Sequence, residues 1–267
     1  MNWPDDFMNQ VICGDNLSVT KEIPDESIDM ILTSPPYDDL REYGKHDFKF
    51  ESMAKEFIRT LKKGGIIVWI VGDSTINESE SGTSFVQALT FKKFGLNLHD
   101  TMIYQKNGPS YPSQNKYYQV FEYMFIFSKG RPKTFNPLRD RKNKWYGQKW
   151  SSKRSRRNKK GELKNAPFYM SESGELGIRF NIWKYNRGAG YSTKDEIAYQ
   201  HPAIFPEKLA EDHILSWSNK GEIILDPICG SGTTCKMARL AKRKFIGIDI
   251  NLDYCIIANK RLAQGVL

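Results

Sequence analysis

Two short stretches, far apart in the chain, carry residue types that suit one reaction if they meet. Thr33-Ser34-Pro35-Pro36-Tyr37 follows the apolar run Ile28-Asp29-Met30-Ile31-Leu32, and Asp226-Pro227-Ile228-Cys229-Gly230-Ser231-Gly232-Thr233-Thr234 follows Ile223-Ile224-Leu225. Each reads as a strand that stops at a tight turn. In the first turn the Ser34 hydroxyl and the Pro35 carbonyl are acceptors stiffened by two prolines, and Tyr37 is a face on which a ring can stack. Such a set suits an exocyclic amine, whose lone pair is conjugated with its ring. Acceptors on its N–H groups favour the tetrahedral nitrogen that attacks an electrophile. In the second turn Gly230 and Gly232 allow a sharp reversal and a close ligand approach to main-chain N–H groups where a helix opens at Thr233. Cys235 stands where a dinucleotide fingerprint has its third glycine, and there is no P-loop Gly-Lys-Ser/Thr. The following run, Phe245-Ile246-Gly247-Ile248, delivers Asp249 and then Asn251. A carboxylate at that point can hold both hydroxyls of a ribose. Asp226, Pro227, Gly230, Gly232, Thr233, Asp249 and Asn251 are therefore expected at a nucleoside, and Ser34, Pro35, Pro36 and Tyr37 at an amine.

The elements that must hold these turns follow an α/β alternation. Val11-Ile12-Cys13 and Ser27 to Leu32 read as strands, with a short helix over 17–23 between them, stopped near Pro24. Phe50, Met53, Phe57, Ile58 and Leu61 recur at helical spacing, and Lys62-Lys63-Gly64-Gly65 is expected to end that helix. Ile66 to Val71 is wholly apolar, as suits a strand covered on both faces. A helix over 85–94 and strands over 98–105 and 119–128 follow. From about 196 the pattern resumes, with helices over 206–217, 233–242 and 253–262 and strands over 223–225 and 245–250. The expected division is 1–130, 131–195 and 196–267.

The middle segment differs in kind. Arg139, Arg141, Lys142, Lys144, Lys149, Lys153, Arg154, Arg156 and Arg157 crowd together, interleaved with Trp145, Tyr146 and Trp150. Cations neutralise phosphates and aromatics pack or stack, so this stretch is the expected nucleic-acid contact; a solvated basic loop is the alternative. Arg187-Gly188-Ala189-Gly190-Tyr191 either approaches DNA or hinges the segment. The net charge of +9 agrees with a polyanion partner. No apolar run reaches the ~20 residues of a membrane span. The start shows no secretory pattern, so a cytoplasmic setting is expected. The four cysteines form no Cys-x-x-Cys pair, and neither a metal site nor a disulfide is expected.

Together the two turns resemble the signatures of S-adenosylmethionine-dependent DNA amino-methyltransferases. The catalytic turn precedes the basic insert and the glycine turn, an order similar to the circularly permuted beta class. Gly14-Asp15-Asn16 resembles the N-terminal element whose aspartate approaches the cofactor's adenine. His201-Pro202-Ala203-Ile204-Phe205-Pro206-Glu207-Lys208-Leu209 resembles the element that packs around the adenine and the methionine tail. Phe180-Asn181-Ile182-Trp183 resembles the segment leading out of the recognition insert. The resemblance implies a Rossmann-like fold, a mixed and mostly parallel sheet with helices on both faces, carrying a basic recognition insert. It implies S-adenosyl-L-methionine held by Asp15, His201, Phe205, Glu207 and Lys208 besides the glycine turn. The implied partner is double-stranded DNA with a flipped-out base. A cognate restriction endonuclease and a homodimer are further expectations, in a prokaryote or phage. Ser-Pro-Pro-Tyr is more typical of N4-cytosine enzymes and Asp-Pro-Pro-Tyr of N6-adenine enzymes, so N4 of cytosine is the expected target and N6 of adenine the alternative. A non-catalytic DNA-binding module and an RNA methyltransferase are the remaining readings. C5-cytosine chemistry would need a cysteine nucleophile after a proline, which the chain lacks. Glutamine methyltransferases have the opposite motif order.

Overall fold

The computed structural model describes residues 1–36, 49–109, 115–144, 146–147, 149–152, 155–158, 160–165, 169–172, 174–188 and 190–264. They form two compact units, one of residues 1–136 with 181–267 and one of residues 137–180.

The larger unit is built on an eight-stranded sheet. Its strands are β1 (Gln10–Cys13), β2 (Ile28–Thr33), β3 (Leu61–Val71), β4 (Asn97–Gln105), β5 (Phe121–Ser128), β6 (Ile182–Lys184), β7 (Ile223–Asp226) and β8 (Lys244–Asp249). They lie in the order β1-β8-β7-β2-β3-β5-β4-β6, and of these β5 alone runs against the rest. The helices are α1 (Asn16–Lys21), α2 (Phe50–Thr60), α3 (Thr83–Lys93), α4 (Glu207–Trp217), α5 (Thr233–Leu240) and α6 (Leu252–Ala263).

Chain direction decides which face each helix covers. The path β1–α1–β2–α2–β3 moves one way across the sheet, whereas β7–α5–β8 moves the other way. Right-handed crossovers therefore put α1 and α2 on one face and α5 on the opposite face. The packing agrees: α2 touches α1 and α3, whereas α5 touches α4 and α6. β2 and β3 are buried along nearly their whole length, which is why their sequences read as continuous apolar runs. On the α2 face Trp69 is fully buried among Phe50, Phe57 and Phe91, and its indole N–H donates to Gln87 Oε1 at 2.7 Å.

Two local expectations change. Lys62 to Gly65 are the opening residues of β3 rather than a helix end followed by a turn. The strand begins at Leu61, directly after α2, and its register against β2 slips between the Ile28–Leu61 and Met30–Ile66 pairs. The slip is held by Lys62 Nζ on Asp29 Oδ2 at 2.7 Å and by Gly64 N–H on the Lys129 carbonyl at 2.7 Å. Gly64 has φ +77°, a left-handed value that glycine tolerates. Residues 181–195, grouped with the insert from the sequence, carry β6, which pairs with β4 in the main sheet and buries Trp183.

The smaller unit is a nested antiparallel ribbon. Residues 139–142 pair with 176–178, 149–152 with 169–172, and 155–157 with 163–165. At its inner turn the Asn158 carboxamide oxygen accepts the Lys160 and Glu162 amides at 2.9 and 3.0 Å. At its base the Arg179 guanidinium pairs with Asp140.

Candidate active site

β2 and β7 are hydrogen-bonded neighbours, with Met30 opposite Ile224 and Ile31 opposite Leu225. Both run the same way, so the Ser34-Pro35-Pro36 turn and the Pro227–Gly232 turn leave the same edge of the sheet side by side. This is also where the crossover direction reverses, the crevice in which open α/β sheets bind ligands. The elements flanking the two turns are tied by Thr234 Oγ1 of α5, which donates to the Leu32 carbonyl of β2 at 3.3 Å. Pro35 is buried, while Ser34 and Pro36 are half-buried. Tyr37 lies outside the described residues.

Asp226 closes β7 against the base of the first turn. Burial pushes its carboxyl up to about 6, opposed by the nearby hydroxyls of Thr234 and Thr33 and by the Ile228 amide. The amide contact has hydrogen-bond geometry at 3.3 Å. Thr33 Oγ1 does not reach such geometry with any partner among the described residues.

The glycine turn depends on left-handed backbone at Gly230 (φ +49°) and Gly232 (φ +75°). What the glycines admit is partly protein. A Cβ on Gly230 would lie 2.7 Å from His201 Nε2, and one on Gly232 would lie 2.7 Å from Ala258 Cβ. Beneath the turn, Gly247 of β8 makes room for the thiols of Cys235 and Cys229. Asp249 ends β8 and is 6% exposed. Its Oδ2 accepts the Gly230 amide at 2.8 Å and its Oδ1 the Asn251 amide at 2.9 Å. Burial raises its pKa, and these backbone donors oppose the rise. The Ile250 amide is a third backbone donor to this carboxylate, whose roughly four acceptor sites leave capacity for a hydroxyl.

Other expected ligand contacts have work within the fold. Asp15 caps α1, accepting the Ser18 amide at 2.9 Å and the Ser18 hydroxyl at 2.7 Å. Asn251 caps α6 through the Asp253 amide at 2.8 Å. His201 packs edge-on against Tyr254 with ring centroids 4.2 Å apart, and its Nδ1 accepts the Ala203 amide at 3.1 Å. Lys208 pairs with Glu211 and Asp212 at 2.7 and 2.9 Å. Phe205 is half-buried just before α4. Glu207 Oε1 accepts from Thr193 Oγ1, Lys236 Nζ and Arg261 Nη2 at 2.8, 2.8 and 2.7 Å.

Arg261 is the residue that sequence reasoning missed. It is 0% exposed, and its Nη1 donates to the Ser231 carbonyl at 2.7 Å and to Thr233 Oγ1 at 3.0 Å. One signal was present: Arg261 shares the apolar stripe of α6 with Cys255, Ala258 and Leu262, which is no place for a solvated cation.

The ribbon carries the basic cluster. Arg139, Arg141 and Lys142 lie on its outer strand, Lys144 follows, and Lys149, Arg156 and Arg157 lie on its inner strands. Arg141 sits over the Phe180 ring at 4.7 Å and donates to the Ile178 carbonyl at 3.1 Å. Lys153 and Arg154 lie outside the described residues. Residues 137–180 hold thirteen Lys and Arg against four Asp and Glu, a net +9, so the rest of the chain balances at 27 of each. Beyond the carboxyl end of β6, in the larger unit, a cleft of about 530 Å³ is lined by Lys184, Tyr185, Asn186, Tyr191, Pro206 and Lys208.

Comparison with known proteins agrees with this architecture. The orphan methyltransferase M.BamHII of Bacillus amyloliquefaciens is 57% identical over 92% of this chain and 93% of its own length. The PvuII DNA methyltransferase, described as cytosine-N4-specific, superposes with a TM-score of 0.67 at 18% identity, covering 94% of this chain and 85% of that one. The M1.HpyAVI–SAM complex superposes with a TM-score of 0.62 at 23% identity, covering 95% and 99%. The family model described as DNA methylase, N6_N4_Mtase, matches residues 28–260. The chain belongs to this N6_N4_Mtase family of DNA methylases.

Proposed function

We propose that the chain transfers a methyl group from S-adenosyl-L-methionine to the exocyclic N4 of a cytosine turned out of duplex DNA. The observation that carries this reading is the adjacency of β2 and β7, whose terminal turns share the switch-point crevice.

The residues fit the cofactor. Asp249 offers spare acceptor capacity for a ribose, and Asn16 Oδ1, next to Asp15, is a buried acceptor with no partner among the described residues, suited to an amino group. The bound sulfonium supplies the electrophilic carbon. On the protein side, the Ser34 hydroxyl and the Pro35 carbonyl accept the amine N–H groups and hold the nitrogen lone pair toward that carbon. When bound, the cofactor would give up its methyl carbon and keep the S–C electron pair on sulfur, and the amine held by Ser34 and Pro35 would lose its proton to solvent. Alignment and fixed dipoles account for the acceleration. Tyr37 is assigned to stacking on the extruded ring. The ribbon cations are assigned to DNA phosphates and base edges. The orphan designation of M.BamHII favours a solitary enzyme over one paired with an endonuclease.

N6 of adenine is the second reading, favoured by the family's name, N6_N4_Mtase, which pairs the two amines. The test is to incubate the protein with S-adenosylmethionine and unmethylated duplex DNA, digest to nucleosides and identify the product by mass. N4-methylcytosine is the expected result. N6-methyladenine would replace the base assignment, and no methylated nucleoside would overturn the activity.

A further inference from the structure

Four charged side chains from four segments converge behind the glycine turn. Lys236 of α5 reaches Asp195 Oδ2 at 2.6 Å and Glu207 Oε1 at 2.8 Å. Arg261 of α6 reaches the same two oxygens at 3.1 and 2.7 Å. Thr193 supports the group by donating to Glu207 and accepting the Asp195 amide at 3.0 Å. Burial pushes the Asp195 carboxyl up, but the hydrogen bonds and charges of Lys236 and Arg261 outweigh it and hold the group below the usual carboxylate range. The cluster is neutral overall, two cations on two carboxylates.

Stability alone is a poor reason for such a cluster, because desolvation of buried charges consumes much of their mutual attraction. Its location is also unfavourable for a cation. Arg261 touches Thr233, the first residue of α5, and a helix N-terminus is the positive pole of its dipole. The geometry it enforces is more specific. Ser231 lies between two glycines in left-handed conformations, the residue type whose backbone is least restricted. One side of the turn is fixed by Asp249 on the Gly230 amide, and the other by Arg261 on the Ser231 carbonyl and hydroxyl, at 2.8, 2.7 and 3.1 Å.

We propose that Arg261 is a positioning residue for cofactor capture. It presets the Gly230–Thr233 backbone, and through Asp195 and Glu207 it couples that turn to segment 193–207, so that binding at the turn and order in the segment rise together. The inference rests on the cofactor reading above, and on nothing about which base is methylated.

Arg261→Lys keeps the charge and loses the planar fork. The test measures S-adenosylmethionine affinity by calorimetry without DNA, alongside amide exchange over 226–240 in the ligand-free protein. The expected result is affinity weakened about tenfold and faster exchange across 230–233, with kcat at saturating cofactor near the wild-type value. Phe57→Leu, in the core under α2, is expected to lower the melting temperature without moving affinity, which separates positioning from general destabilisation. Should Arg261→Lys fail to fold, Asp195→Asn, which removes one of the guanidinium's two carboxylates, takes its place with the same expected direction. Affinity and exchange both unchanged would overturn the proposal. A wild-type protein that binds no S-adenosylmethionine, with exchange still faster in the variant, would instead overturn the cofactor reading and leave the positioning of the turn standing.

Discussion

At the scale of single residues the site separates groups that face substrate from groups that shape the crevice. Ser34 is assigned to the first kind. Ser34→Ala is expected to lower kcat by about 10²–10³-fold, the usual cost of one preorganised polar contact to the reacting group, with cofactor affinity unchanged. Single-turnover methylation and calorimetry read the two quantities separately. Asp226 is of the second kind and has a pH signature. Its folded pKa of about 6 lies above the ordinary carboxylate value, so the unfolded state releases its proton first as pH rises. Stability from this group is complete below the unfolded pKa and is lost as pH rises through about 6. Asp226→Asn should therefore match the wild-type protein near pH 4 and exceed it above pH 7 by on the order of 1–3 kcal/mol in urea denaturation. Equal stability at both ends would show that the carboxylate is not desolvated. His213 has the opposite sign: burial depresses it to about 3, so its contribution is present above its unfolded pKa and lost on acidification. The two groups must be separated by variants rather than by one pH curve.

At the scale of elements, the glycine turn is a joint between β7 and α5 with no room for a side chain at Gly230 or Gly232. Gly230→Ala meets two penalties, the positive φ and the His201 ring at 2.7 Å. A loss of about 1–3 kcal/mol in stability is expected, together with loss of cofactor binding. Adding His201→Ala should return part of that stability by relieving the contact, leaving the backbone strain. A strictly additive double mutant would refute the contact. The turn itself was legible in the sequence, because glycines, a preceding strand and a following carboxylate are local features. The use of Gly230 was not, because His201 comes from a distant segment and only the folded chain brings it near. The same limit applies to β6, three residues in a polar stretch with one inward-facing Trp183. Lys62 to Gly65 carry the marks of a helix end, yet the slip against β2 absorbs them into β3. Arg261 was readable as a cation on an apolar stripe, but its partners Asp195 and Glu207 were not.

At the scale of the molecule, charge is divided sharply between the two units. Residues 137–180 hold the whole net charge of +9, so attraction to DNA at a distance depends on the ribbon. Replacing Lys142, Lys144 and Arg157 by Gln should reduce the slope of log affinity against log salt by up to about 0.9 for each phosphate that a replaced side chain neutralises. Replacing Lys92 and Lys93, at the end of α3, should leave it unchanged. Equal effects from the two sets would show that the charged surface engaging DNA is wider than the ribbon. The strand order has a different consequence. β1 and β2 are made early, yet β8 and β7 occupy the places between them. A nascent chain emerging from the ribosome therefore holds a two-strand gap in its sheet, with unpaired edges on both sides, until residues 223–249 arrive to close it. Cofactor capture is then expected to wait until residues 223–249 have been made, and fragments that stop short of β7 should aggregate rather than bind.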